Sequence, residues 1–134
     1  MTNKIKKNYK KEYAPILLGI AKGDFRSAQV LNQAVFEGRP ENIIFICQQS
    51  IEKALKAVLV HLQIGFPLVH DLGILVALLP EDKAPPFGFS LAELNQYATT
   101  RRYEEGHLEL TAEEINVTLS AAQDVLNWAD LILK

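Results

Sequence analysis

The chain has 134 residues, 49% of them hydrophobic and one of them cysteine, which is the size of one domain and enough apolar material for a core without disulfides or metal. A formal net charge of -2 excludes a surface that grips nucleic acid all over, because phosphate binding needs a concentrated basic footprint and must here be local. No run of about eighteen uninterrupted apolar residues occurs, so no membrane span is expected and the chain reads as a cytoplasmic protein.

The chain opens on its one basic concentration, Lys4, Lys6, Lys7, Lys10 and Lys11. Residues 1–13 therefore read as a flexible, solvated tail, with an arm that touches an acidic partner as the alternative. The apolar stretch that follows resembles a secretory leader only in part. Lys22, Asp24 and Arg26 interrupt it while apolar residues continue at helical spacing, as in a mature domain. Leu17, Ala21, Asp24, Ala28, Leu31 and Val35 recur at steps of three and four, which predicts a helix from about Ala14 to Phe36, with Pro15 in its first turn and Gly38-Arg39-Pro40 at its end. Asp24 is the odd member of that stripe: a carboxylate facing a helical core is either ion-paired or at the wall of a site.

A second helix is expected from about Glu41 to Ile64, ended by Gly65 and Pro67. Ile43, Ile44, Cys47, Ile51, Ala54, Leu55, Val58, Leu59 and Leu62 spread over more than half its circumference, which marks a central helix or one buried in a subunit contact. Cys47 reads as a small hydrophobe, and His61, on the same arc, as a satisfied core residue. The polar residues are grouped: Gln49, Lys53 and Lys56 project together, with Gln48 and Glu52 along the neighbouring edge. Glu52 and Lys56 have the favourable order for a pair four residues apart.

His70-Asp71-Leu72 follows a short loop, and Asp71 is a plausible N-cap for an apolar helix reaching about Leu79. The stretch from Pro80 to Phe89 is rich in proline and polar residues and reads as the clearest loop. Ser90 with Glu93, and Thr111 with Glu114, have the spacing of capping boxes. The first predicts a helix to about Arg102. The second predicts a terminal helix striped by Ile115, Leu119, Ala122, Leu126, Ala129 and Leu133, with Trp128 as packing. No strand period or internal repeat is evident. The expected architecture is all-α: an up-and-down bundle of four to five helices over residues 14–134.

The run Gln48-Gln49-Ser50-Ile51-Glu52-Lys53-Ala54-Leu55-Lys56-Ala57 resembles the most recognisable motif of the prokaryotic HEPN family. Three further features fall in that family's order: Ala21-x-x-Asp24 with Ala28, His70-Asp71-Leu72, and Arg102-Tyr103. The resemblance implies a helical bundle that commonly forms dimers. Members are often encoded beside a minimal nucleotidyltransferase as a toxin and antitoxin pair, many others are ribonucleases, and the family's name records an older proposal of nucleotide binding.

Catalytic HEPN ribonucleases resemble one another in an arginine followed at short interval by a histidine, which Arg102-Tyr103-Glu104-Glu105-Gly106-His107 satisfies. Histidine can move a proton near neutral pH and arginine can offset charge on a scissile phosphate. Against this, Tyr103 stands where those enzymes place a small polar residue, Glu104 and Glu105 repel phosphate, and Gly106 breaks the helix before His107. Arg102 could instead pair with Asp24 or Glu52, or hold a phosphate. Tyr103 is either a partly buried aromatic or, by analogy with related toxins, a nucleotidylation acceptor.

Gln48, Gln49, Lys53 and Lys56 are a patch for phosphate or a partner protein, or else an exposed helix face. His70 with Asp71 orients a turn by hydrogen bonds, or acts in catalysis. No glycine-rich phosphate loop, no HExxH and no metal-ligand spacing occurs, so neither metal nor organic cofactor is expected. The preferred expectation is an interaction module, dimeric and partnered with a minimal nucleotidyltransferase. The alternatives are a metal-independent ribonuclease with Arg102 and His107 in a composite dimer site, and a nucleotide-binding regulatory domain with a pocket of Asp24, Lys53 and Arg102.

Overall fold

The computed structural model describes residues 6–34, 39–98 and 110–134. In chain order they form β1 (Lys6–Lys7), α1 (Tyr13–Gln33), α2 (Glu41–His61), β2 (Phe66–Pro67), α3 (Leu72–Leu78), two 3-10 segments (Glu81–Lys83 and Gly88–Leu94), α4 (Asn95–Ala98) and α5 (Ala112–Leu133). The result is an all-α helical bundle. Helix α2 packs on both α1 and α5, which also touch each other, while α3, α4 and the second 3-10 segment cover another flank of α2.

The central place of α2 follows from its wide apolar arc. Ile51, Ala54, Leu55, Ala57, Val58 and Leu59 are fully buried, and so is Cys47. Burial pushes the Cys47 thiol up to about 12, because a thiolate there would be stripped of water. Helix α1 turns Ala14, Leu17, Leu18, Ala21, Phe25 and Ala28 inward. That face keeps Leu17, Ala21 and Ala28 of the expected stripe and buries Phe25 beside them, which leaves Asp24 at the edge of the contact with α2, half-buried. Helix α5 buries Ile115, Ala122, Val125, Leu126 and Ala129.

The helix ends show where local chemistry competes with pattern. Thr111 forms the expected capping box: its hydroxyl accepts from the Glu114 N–H at 3.1 Å, and the Glu114 carboxylate accepts from the Thr111 N–H at 3.2 Å. Asp71 caps α3, accepting from the N–H groups of Gly73 and Ile74. Ser90 does not cap. It lies inside the 3-10 segment, its N–H donating to the Phe87 carbonyl at 3.0 Å. Phe87 and Gly88 both have positive φ, 70° and 51°, so the chain after Pro85-Pro86 is already wound into a tight turn before Ser90 is reached. The regular helix starts only at Asn95 and is described to Ala98; the expected end at Arg102 lies outside the described residues.

Helix α2 ends earlier than its glycine suggests. Gln63 takes the left-handed conformation, φ 58°. The Ile64 N–H donates to the Leu59 carbonyl at 2.9 Å and the Gln63 N–H to the Val60 carbonyl at 3.0 Å, the paired bonds of a Schellman stop. His61 consequently sits in the last turn, half-buried rather than in the core. Desolvation and then the nearby Lys11 charge hold its imidazole below the usual range. Gly65 serves a different purpose: a Cβ there would come within 2.8 Å of the Asn8 side-chain oxygen, so its lack of a side chain admits the N-terminal stretch.

That stretch, read from sequence as part of a tail, is described from Lys6 onward and packs on the bundle. Lys6 and Lys7 pair antiparallel with Pro67 and Phe66. Tyr9 stacks between Tyr13 and Phe66, its ring centroid 5.2 and 5.7 Å from theirs. Among the described residues no helix is long and apolar enough to cross a membrane.

Candidate functional site

The polar residues of α2 are not an outward face. Gln48 is fully buried and Glu52 is 3% exposed, because the loop after β2 and the start of α3 close over them. A buried carboxylate requires both a counter-charge and hydrogen bonds, and Glu52 has both. One oxygen accepts from the Lys56 ammonium at 2.9 Å. The His70 Nδ1 lies 3.0 and 3.2 Å from the two carboxylate oxygens. Nδ1–H donating to the carboxylate leaves Nε2 of a neutral His70 as an acceptor, on a side chain that is 73% exposed.

Gln48 ties the same loop down. Its amide donates to the His70 carbonyl at 3.1 Å, and its oxygen accepts from the Gln49 amide at 2.6 Å. Lys53 reaches across to α1 and pairs with Asp24 at 2.5 Å, which answers the question that Asp24 posed in the sequence: it is ion-paired. Ser50, fully buried between the same helices, donates to the Ala21 carbonyl at 2.7 Å. Asp71 lies at the outer end, where one oxygen caps α3 and also accepts from the Asn95 amide at 2.9 Å, while the Asn95 oxygen accepts from the Leu72 N–H at 3.0 Å.

Of the residues singled out by sequence, Gln48, Gln49, Glu52, Lys56 and His70 thus form one network. Asp24 with Lys53 forms an adjacent pair, and Asp71 fixes the neighbouring turn. Arg102, Tyr103 and His107 lie outside the described residues. Asp24 and Glu52, the carboxylates considered as partners for Arg102, each already have a cation from the described chain.

Three aromatic rings complete the site, and sequence reading did not bring them to it. Tyr9, Tyr13 and Phe66, with Leu17 and Leu68, wall a cavity of about 160 Å³ whose polar side is Glu52, Lys53 and Lys56. The Lys56 ammonium stands 5.9 Å from the Phe66 ring centroid, within cation–π range. The four-residue step from Tyr9 to Tyr13 was the available signal, but it straddles the start of α1, where helical spacing carries no weight. A larger cavity of about 410 Å³ lies elsewhere, between Ile44, Leu94 and Val117. Glu93, Glu113 and Glu114 line it, a charge that disfavours phosphate.

Both carboxylates, Asp24 and Glu52, are neutralised within the chain. The cations that neutralise them are Lys53 and Lys56 themselves, so the polar side of the aromatic cavity is balanced in charge, and the stacked rings suit a flat aromatic group. Among the described residues no group of three or more His, Cys, Asp or Glu could hold a metal ion.

The family model for the HEPN domain matches residues 14–132. No curated protein and no solved structure matches the chain.

Proposed function

The chain belongs to the HEPN family, and from that premise we propose that it is an interaction module: a dimeric partner of a separately encoded minimal nucleotidyltransferase, acting as toxin or as nucleotide- or substrate-binding component. The observation that carries this reading is the ridge of α2. Its carboxylates Asp24 and Glu52 are paired with Lys53 and Lys56, and these charge-balanced pairs stand beside a cavity walled by Tyr9, Tyr13 and Phe66. At about 160 Å³ that cavity accepts one ring, a base or an aromatic side chain. It is smaller than the roughly 300 Å³ or more that encloses a whole drug-sized ligand.

The test is to mix the purified chain with a minimal nucleotidyltransferase from the same genome and weigh the mixture by light scattering, with and without ATP. A complex that Lys53→Ala and Lys56→Ala weaken supports the reading. No complex under any of these conditions sinks it.

The second reading, a metal-independent ribonuclease with Arg102 and His107 in a composite dimer site, rests on the spacing of those two residues. Cleavage of total RNA in the presence of a chelator, abolished by Arg102→Ala and by His107→Ala, would establish it in place of the first.

A further inference from the structure

Helix α1 has a second apolar face that its own fold does not use. Ile16, Ile20 and Val30 are 58%, 44% and 56% exposed, and with Gly23 and Ser27, both also exposed, they follow one another at steps of four, three, four and three. That is the spacing of a coiled-coil seam, on the side of α1 turned away from α2. Exposed apolar residues are ordinary when scattered; aligned at heptad spacing along one helix they make a contact surface.

The polar content of this seam is already satisfied. The Ser27 hydroxyl donates to the Gly23 carbonyl, 3.2 Å away on the same helix, so dehydrating it leaves no orphan donor. Of the flanking charges, Lys22 is engaged with Asp130 and Asp24 with Lys53, and the exposed Arg26 borders the seam beside Val30. Gly23 and Gly19 have nothing within 4 Å of where a Cβ would stand. Neither is required by packing inside the protomer, and each weakens the helix relative to alanine.

We propose that this face of α1 pairs with the same face of a second copy of the chain, the two helices running antiparallel about a two-fold axis between Ala21 and Lys22. The occupant follows from the order of sizes along the seam. In an antiparallel pair each seam residue meets one from the opposite half of the partner helix. Ile16 then lies against Ser27, Ile20 against Gly23, and Val30 against the half-buried Tyr13. Two large residues meet two small ones in the four central layers, and the glycines admit close backbone approach. A surface complementary to itself under a two-fold axis is what an isologous dimer needs, and the uncharged stripe is roughly 25 Å long at 1.5 Å per residue. The dimer belongs to the reading proposed above, and the inference specifies its face.

Sedimentation velocity over a dilution series of the full chain tests it. Wild type is expected to associate reversibly. Ile20→Lys, which places a charge in the seam, and Gly23→Gln, which fills open space without touching the protomer, each weaken association by about tenfold or more. Helical circular dichroism is retained in both, and Gln33→Lys, off the seam, associates as wild type does. A nitroxide on Gln33→Cys, with the native Cys47 buried, reads the direction: antiparallel pairing puts the two labelled backbones roughly 35 Å apart, and a separation near 10 Å, one helix-pair spacing, overturns the arrangement. A dimer indifferent to Ile20→Lys and Gly23→Gln overturns this face while leaving the dimeric reading intact. A wild type that stays monomeric throughout overturns both.

Discussion

Two ion pairs of nearly equal length sit in different surroundings. Lys56 and Glu52 are 2.9 Å apart with side chains 13% and 4% exposed, while Lys22 and Asp130 are 2.8 Å apart with side chains 48% and 40% exposed. Distance alone would rank them together. In water a pair at that separation gains little over two hydrated ions, and screening and side-chain entropy consume most of the gain. Away from water, the same geometry is what keeps each charge tolerable. The α2 ridge is therefore rigid because it is buried, and the link between α1 and α5 is expected to be nearly neutral.

The sharpest way to break that contrast is Glu52→Ala, which strands Lys56 and His70 without their acceptor. A loss of about 3 kcal/mol is expected by denaturant unfolding, and a loss below about 1 kcal/mol would show that the ridge is hydrated and the contrast empty. Burial also governs Cys47. Its folded thiol keeps a proton up to about pH 12, whereas the unfolded thiol releases it near the ordinary value of 9.0. The thiol's contribution is therefore fully present below pH 9 and lost as pH rises toward 12, by about 1.4 kcal/mol per pH unit. Cys47→Ala should remove that slope, as parallel melts in alkaline buffers would reveal.

Smaller still is the cap of α5. Thr111→Ala should cost about 1 kcal/mol, whereas Ser90→Ala, at the matching position of a box that does not form, should stay within about 0.5 kcal/mol; equal losses in thermal melts would contradict the 3-10 assignment. The smallest effect belongs to Lys22→Ala, within about 0.5 kcal/mol and vanishing in high salt. A salt-independent loss above 1 kcal/mol would mean that the outer pair is not the solvent-exposed contact described.

What sequence could and could not reveal divides along the same line of local against distant cause. The long helices were legible because a stripe of apolar residues every three or four positions is the direct imprint of packing on a cylinder. Asp71 and Thr111 were legible as caps because their partners lie two or three residues away. Ser90 had the same spacing and failed, because the turn at Phe87 and Gly88 had already set the backbone. The stop at Gln63 was hidden by Gly65, a better candidate on propensity whose actual use is to let Asn8 pass. Gln48 and Glu52 were singled out by helical spacing and, with His70, by resemblance, but the burial of Gln48 and Glu52 depends on the loop that brings His70 back over the helix. Tyr9 and Phe66 lie in stretches without period, so their meeting could be seen only in three dimensions.

The short β pairing of Lys6–Lys7 with Phe66–Pro67 has a kinetic meaning. It joins segments about sixty residues apart through a few backbone hydrogen bonds, aided by the Gln63 amide, which donates to the Tyr9 carbonyl at 3.2 Å. Contacts so distant in sequence and so few are among the last to form and the first to open. Hydrogen exchange at the paired amides should therefore be fast compared with the middle of α2. Such an opening would carry Tyr9 off Phe66 and remove one wall of the aromatic cavity, with no change required in the packing of the three long helices.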